Sequence, residues 1–261
     1  MILSVQKAMN ILSILSNAKN QPIPLMELAA RTGYPKPTCA HLLETLCHDG
    51  YVVRVSQTKG YLLGPSLYCL TRYGRYGEEL VALCRPIMRW MERNTHATVV
   101  LSTIQSHHKF IIDYADTEQN LFGGRPKIRT DDIYRTATGR AILAHTDRET
   151  VRAIYEKYGD PLPGHWDEVT SYQSLLTALD RLRGQAVILS GVEEGVISNH
   201  TIGFACPIFQ KKSCIGAIGL AWKAPSEDHV LSAEVQNQMS SVLRKGTLEI
   251  HRRLSYEGER S

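Results

Sequence analysis

The chain has 261 residues, of which 43% are hydrophobic and 21% charged, so there is apolar material for folded cores and a disordered chain is excluded. No run approaches the ~18 consecutive apolar residues of a membrane span, and residues 1–19 lack the basic start and unbroken apolar stretch of a signal peptide, so a cytoplasmic protein with no membrane partner is expected. The net charge of +4 is uneven: residues 1–75 carry eight basic and three acidic side chains against 22 and 23 in the remainder, which places the positive excess where a polyphosphate partner would be met.

Three short helices are predicted first. Val5, Ala8, Ile11, Leu12 and Leu15 recur at helical spacing over residues 4–17, with Ser4 as the expected N-cap. A second helix over 24–32 begins on Pro24 and stops at Gly33. A third over 35–49 buries Leu42, Leu43 and Leu46 and is closed by Gly50. Two short helices around the tight turn Thr32-Gly33-Tyr34 are a helix-turn-helix pattern. The β-rich run 51–55, a polar turn at 56–60 and a second strand at 61–64 then read as a wing. In this arrangement Lys36 and the amides at the start of the third helix meet phosphates, Pro37, Thr38 and His41 lie at the major groove, and Arg54 and Lys59 reach phosphates or the minor groove from the wing.

Residues 64–77 form a linking segment with Leu67, Tyr68, Leu70 and Tyr73, followed by an amphipathic helix over 78–94. Strands are predicted at 98–104 and 109–114, helices at 136–144, 147–158 and 172–183, strands at 186–191, 202–209 and 214–222, and a last helix over 227–253. That order implies an antiparallel sheet with helices packed on it, an α+β domain. The division expected is 1–65 for the winged unit, 66–77 for the linker helix and 78–256 for the larger domain.

The segments Val5-Gln6-Lys7-Ala8-Met9-Asn10-Ile11-Leu12, Leu25-Met26-Glu27-Leu28-Ala29 and the run from Gly33 to Leu46 resemble the IclR family of bacterial transcriptional regulators. The resemblance covers nearly the whole chain and implies a GAF-like effector-binding domain after the winged helix-turn-helix. It also implies a homodimer, paired in part through the linker helix, and possible assembly into a tetramer. The chain departs from the family pattern at His41, where Arg is common, at Cys39, where an aliphatic residue stands, and at Ala40, where a larger residue stands.

The segment from Asp132 to Ala141 matches the family stretch Pro-Leu-His-Ala-Thr-Ala-x-Gly-Lys-Ala, with Asp132 in place of Pro and Arg135 in place of a small residue. A small-residue turn entering a helix offers unpaired amides at the positive end of the helix dipole, a cradle for a carboxylate. Ala137 and Thr138 supply the amides and Thr136 and Thr138 the hydroxyls; the alternative is that the threonines merely cap the helix. Arg135 either pairs with a ligand carboxylate or with Asp131 or Asp132. By the resemblance, Glu193, Glu194, Gly203, Gly219 and Ala221 fall where relatives place ligand contacts. Gly219 and Ala221 replace hydroxyl residues, which predicts a roomier, less polar pocket suited to a bulkier or partly aromatic acid.

No nucleophile elbow, P-loop, dinucleotide fingerprint or His-Glu-x-x-His helix is present, so no enzyme, cofactor or metal is expected. His96, His107 and His108 read as solvated turn histidines, and the six cysteines, none in a Cys-x-x-Cys pair, as reduced thiols. The expected activity is operator binding controlled by a small organic acid, acting on catabolic genes. A sensory module working through protein contacts and a small-molecule enzyme are the alternatives.

Overall fold

The computed structural model describes residues 2–18, 21–56, 59–71, 77–116, 129–130, 133–193, 196–197, 201–223 and 231–258, which fall into two compact units that divide at Glu78.

The first unit contains α1 (Leu3–Ser16), α2 (Leu25–Thr32), α3 (Lys36–His48), β1 (Val52–Ser56), β2 (Gly60–Leu63) and α4 (Pro65–Thr71). The apolar stripes of the three helices converge as their spacing requires: Ile11 and Leu15 of α1, Leu28 of α2, and Cys39, Leu43 and Leu46 of α3 are buried with Val52 and Tyr61 of the hairpin. Leu42 is half-buried. Gly33 ends α2 in the left-handed region at φ 71°, and nothing lies within 4 Å of where its Cβ would be, so backbone conformation and not packing demands glycine there. Ser4 does not cap α1. The helix starts one residue earlier, Ile2 stands at the N-cap, and no side chain bonds the first turn. The wing strands pair antiparallel, with Arg54 opposite Tyr61 and a bulge between Arg54 and Ser56, and Ile23 joins the hairpin through two backbone bonds to Tyr61.

The second unit contains α5 (Glu78–Thr95), β3 (Thr98–Gln105), β4 (His108–Ala115), β5 (Arg129–Thr130), α6 (Ala137–Ala144), α7 (Arg148–Tyr158), α8 (Tyr172–Arg183), β6 (Ile188–Ser190), β7 (Val192–Glu193), β8 (Val196–Ile197), β9 (Thr201–Gln210), β10 (Ser213–Lys223) and α9 (Ala233–Gly258). Its antiparallel sheet runs β5-β4-β3-β10-β9-β6. Strand alternation assigns the two faces. Val99, Leu101, Phe204, Cys206, Ile208, Ile218 and Leu220 pack against α5 and α9. The opposite face carries Ala205, Ala217 and Ile188 against α6, α7 and α8. Along β9 and β10 this second face is built of small residues, and that permits α6 to lie on it with all eight of its residues buried.

Candidate functional site

In the first unit, α3 begins after Pro35 at the N-cap, with Pro37 in its first turn, where a missing amide costs nothing. Lys36, Pro37, His41, Glu44, Thr45 and His48 are exposed, Thr38 is half-buried, and Cys39 is wholly buried beneath them. The exposed edge of α3 therefore carries the residues predicted to meet DNA. It also carries Glu44, whose carboxylate stands 3.9 Å from His41 Nδ1 and which the sequence reading passed over. Asn10 donates to the Tyr34 hydroxyl at 3.0 Å and the Lys7 ammonium lies 5.2 Å from the Tyr34 ring, so α1 braces the turn that leads into α3. On the wing, Arg54 and Lys59 are exposed, and the Arg54 guanidinium lies 5.8 Å from the ring of Tyr61, its cross-strand partner.

In the second unit, the turn before α6 meets the small-residue face of the sheet. Three positions without side chains allow this. A Cβ on Gly139 would stand 2.0 Å from the Ile133 carbonyl oxygen, one on Gly203 2.5 Å from Ser190 Oγ and 3.1 Å from Ala137 Cβ, and one on Gly219 2.6 Å from the Thr138 methyl. Ala137 therefore rests on Gly203 and Thr138 on Gly219, while Ala221 is paired with Gly203 in the ladder and is half-buried. Thr136, Ala137, Thr138, Gly203 and Gly219 are thus brought together, with Ala221 beside Gly203 in the ladder.

The expected roominess at Gly219 is corrected: the space its missing side chain leaves is filled by the Thr138 methyl, so the substitution closes α6 onto β10 and does not enlarge a pocket. Glu193 lies in β7, and Glu194, like Asp131 and Asp132, lies outside the described residues.

Thr136 is the N-cap of α6. Its Oγ1 accepts the Gly139 amide at 3.2 Å, so the capping alternative holds for this residue. The same oxygen accepts a second bond, from Lys109 Nζ at 2.8 Å. A hydroxyl has two lone pairs and one proton; with both lone pairs taken, its remaining hydrogen-bonding capacity is that of a donor. The cap thereby presents an O–H beside the helix's first-turn amides, with an ammonium behind it. Lys109 is 2% exposed on β4, and its cross-strand partners are Ile104 and Thr130. Nothing in the sequence pattern marked this lysine, which opens the strand expected over 109–114. Ser102 lies on the same face, opposite Ala217, and its Oγ is buried with no hydrogen-bond partner among the described residues, as is the Tyr134 hydroxyl. Burial also raises the Tyr134 pKa well above the usual tyrosine range, with the neighbouring Tyr155, Asp160 and Tyr158 adding to it.

The sequence matches the IclR helix-turn-helix domain over residues 4–56 and the bacterial transcriptional regulator IclR C-terminal domain over residues 77–250. The chain belongs to the IclR family. It is a helix-turn-helix, DNA-binding transcription regulator of the IclR type. It is 29% identical over 183 residues to the HTH-type transcriptional regulator KdgR of Escherichia coli (strain K12), covering 70% of this chain and 68% of that one. It is 25% identical over 142 residues to the acetate operon repressor of Salmonella typhimurium, covering 54% of this chain and 52% of the repressor. Among solved structures, an IclR homolog from Microbacterium hydrocarbonoxydans complexed with 4-hydroxybenzoate has the same fold, with a TM-score of 0.73 at 17% identity, covering 97% of this chain and 99% of the other. An IclR regulator from Alicyclobacillus acidocaldarius aligns with a TM-score of 0.70 at 20% identity, covering 97% and 98%.

His108 is not a solvated turn residue: it is half-buried as the first residue of β4, with Nδ1 2.8 Å from the Tyr158 hydroxyl and Nε2 2.7 Å from Lys157 Nζ. Among the described residues no three His, Cys, Asp or Glu side chains stand close enough to share a metal. Burial pushes the Cys206 and Cys214 thiols up to about 11, and each bonds a backbone carbonyl, so both are protonated core residues at neutral pH. No helix among the described residues is long and apolar enough to cross a membrane.

Proposed function

We propose that this protein binds an operator through α3 and the wing, and that a small organic acid seated at the start of α6 controls that binding. Residues 1–65 would form the DNA-binding unit, 66–77 the linker helix and 78–256 the effector unit, with two chains pairing so that two recognition helices read two half-sites. Lys36 and the first-turn amides of α3 would anchor phosphates, Pro37, Thr38 and His41 would lie against base edges, and Arg54 and Lys59 would take the flanking backbone. The acid's carboxylate would accept from the Ala137 and Thr138 amides and from the Thr136 hydroxyl. Glu193, Glu194, Gly203 and Ala221 would stand around the remainder of the acid, and Gly219 would act through its contact with Thr138.

The observation that carries the reading is the buried Lys109 ammonium bonded to the cap of α6. The first-turn amides at the positive end of a helix favour a bound anion, and an ammonium close to the cap adds to that field. The 4-hydroxybenzoate found in one structural neighbour is an acid of the class proposed. The effector would act by binding two arrangements of the chain unequally, which is the only way a ligand shifts such an equilibrium. Regulation would fall on genes for catabolism of the acid or a relative of it, with no catalysis by the protein itself.

The test is titration of the full chain with its own upstream DNA across a salt series, each with and without pyruvate, glyoxylate and 4-hydroxybenzoate. Saturable, salt-steep binding that one acid alters is expected. Binding no tighter than to a scrambled duplex at low salt, with or without an acid, followed by no enriched site in a genome-wide DNA selection, would refute the reading. Salt-insensitive capture of a protein partner would then favour the docking alternative.

A further inference from the structure

Arg140 sits one turn into α6, only 8% exposed, in a region where neighbouring side chains are apolar. Its guanidinium is spread over backbone carbonyls from three separate segments. Nε donates to Tyr134 O at 2.7 Å, in the turn that leads to Thr136. Nη1 donates to Leu189 O at 3.4 Å, in β6, next to Ser190 whose Oγ faces Gly203. Nη2 donates to His165 O, in the segment before α8. The flat group lies 4.4 Å from the ring of Trp166, which donates to Glu168 at 2.6 Å, and the Glu168 carboxyl is held low first by Arg181 of α8 and then, less strongly, by Trp166 and Arg140.

The geometry points to Arg140 as the positioning residue of the effector site: it fixes both walls of the cradle, the Tyr134–Thr136 turn and the end of β6, by their backbone oxygens, and ties them to the block that carries α8. This deepens the effector reading and rests on it for its functional consequence, though the positioning itself is a property of the unliganded chain. Only a planar group with five fixed donors meets three carbonyls in different directions while stacking on a ring. A lysine, which the family stretch usually has here, reaches one carbonyl at a time and cannot stack flat. The cradle's geometry in this chain is thus set from behind, by a residue that touches neither the first-turn amides nor the Thr136 hydroxyl.

The test is hydrogen exchange on the full-length unliganded protein, wild type against Arg140→Lys and Arg140→Met. Val151→Ala, a cavity variant in the buried face of α7, supplies a control that loosens the same unit at a residue belonging to neither wall. Both Arg140 variants should exchange at least tenfold faster in peptides covering residues 133–141 and 187–191, and little faster in β10 or the first unit. The control should show no such concentration at those two segments. Arg140 variants that match the control's pattern, or that leave both segments at the wild-type rate, overturn the proposal. A parallel arm reads thermal shifts with pyruvate, glyoxylate and 4-hydroxybenzoate. If an acid stabilises the wild type, Arg140→Lys should need at least tenfold more of it for the same shift, and an unchanged requirement counts against the functional half of the proposal. If no acid stabilises the wild type, the effector reading fails while the exchange result still decides the role of Arg140.

Discussion

Gly219→Ala separates an open pocket from a closed contact by the sign of its effect. If Gly219 left room for a bulkier ligand, an added methyl would be harmless, and the reduced freedom of the unfolded chain would stabilise the protein by about 0.4–1 kcal/mol. The structure requires the opposite. The new Cβ would stand 2.6 Å from the Thr138 methyl and 2.8 Å from the Phe204 carbonyl oxygen. Thr138 can yield only by moving the first turn of α6, and Phe204 O is held in the β9–β10 ladder. Overpacking of this kind costs about 1–3 kcal/mol, so at the middle of that range and of the unfolded-state gain a net loss of about 1–2 kcal/mol is expected. For a unit of this size that is a fall of about 2–8 °C in Tm. All three tryptophans, Trp90, Trp166 and Trp222, belong to the second unit, so their fluorescence reports its unfolding without interference from the winged unit. Thr138→Ser, which removes the offending methyl, should recover part of the loss in a double-mutant cycle. A neutral or stabilised Gly219→Ala would refute the contact and restore the roomier reading.

Lys109→Met keeps the length of the side chain and removes the charge behind the α6 cap. A charge-assisted contribution of about 1.5–3 kcal/mol would be lost, so the affinity for the effector acid should fall roughly ten- to hundredfold in calorimetric titration, with operator affinity in its absence unchanged. Removing the wing cations should act on DNA alone: Lys59→Ala should reduce the slope of log K against log salt by about 0.9 if Lys59 neutralises one phosphate, and an unaltered slope places it off the backbone. The protein should also lose stability as pH falls below about 6.5. Burial lowers the pKa of His251, and it lowers that of His145 together with nearby Arg183, while His251 Nε2 accepts the Phe209 amide at 3.0 Å. A group whose folded pKa lies below its unfolded value contributes fully above the unfolded pKa of about 6.5, and the contribution drains away as pH falls through the folded one. Thermal melts of wild type and His251→Gln across that window check this; equal slopes would remove His251 from the account.

The long, strongly periodic elements were legible from residues alone. The stripes of α1, α2 and α3, the turn at Gly33 and the amphipathic α5 all follow from apolar spacing and punctuation, and β3, β4, β9 and β10 from their β-rich runs. The two-residue strands β5, β7 and β8 were not, because a stretch that short has no period to read. Ser4 failed as a cap because α1 continues past it, and cap preference is a weak signal where no loop residue marks the boundary. In the candidate site, the Thr136–Thr138 turn was visible as a run of small residues entering a helix. Lys109 and Arg140 were not, since a lysine in a strand and an arginine in a helix both read as solvent-facing. Their burial is created by partners far along the chain: Thr136 for Lys109, and Leu189, His165 and Trp166 for Arg140. Gly219 shows the limit most sharply. A sequence reveals that a side chain is missing, but only the packing of α6 reveals what occupies the space.

The two units use their positive charge in opposite ways, and this bears on how one chain can serve two ligands. Lys36, Arg54 and Lys59 stand exposed on the first unit, whereas Lys109 and Arg140 are buried in the second with hydroxyl and backbone oxygens as acceptors. Exposed cations act through a field that salt screens within about 10 Å at 0.1 M, and their contribution to binding a polyanion is repaid largely in released counterions. Buried cations lie largely beyond that screening, and on the proposed reading an acid would be told apart by geometry, by whether its carboxylate fits where the α6 amides and the Thr136 proton converge. The first arrangement suits long reach, fast encounter and tolerance of sequence; the second suits a small ligand that must be told from its neighbours in the cell. On the proposed reading the acid would act on operator affinity by moving the equilibrium between arrangements of the chain, not by altering the charge that meets DNA. A change in ionic strength should therefore rescale operator binding with and without the acid alike, leaving the ratio between them nearly constant.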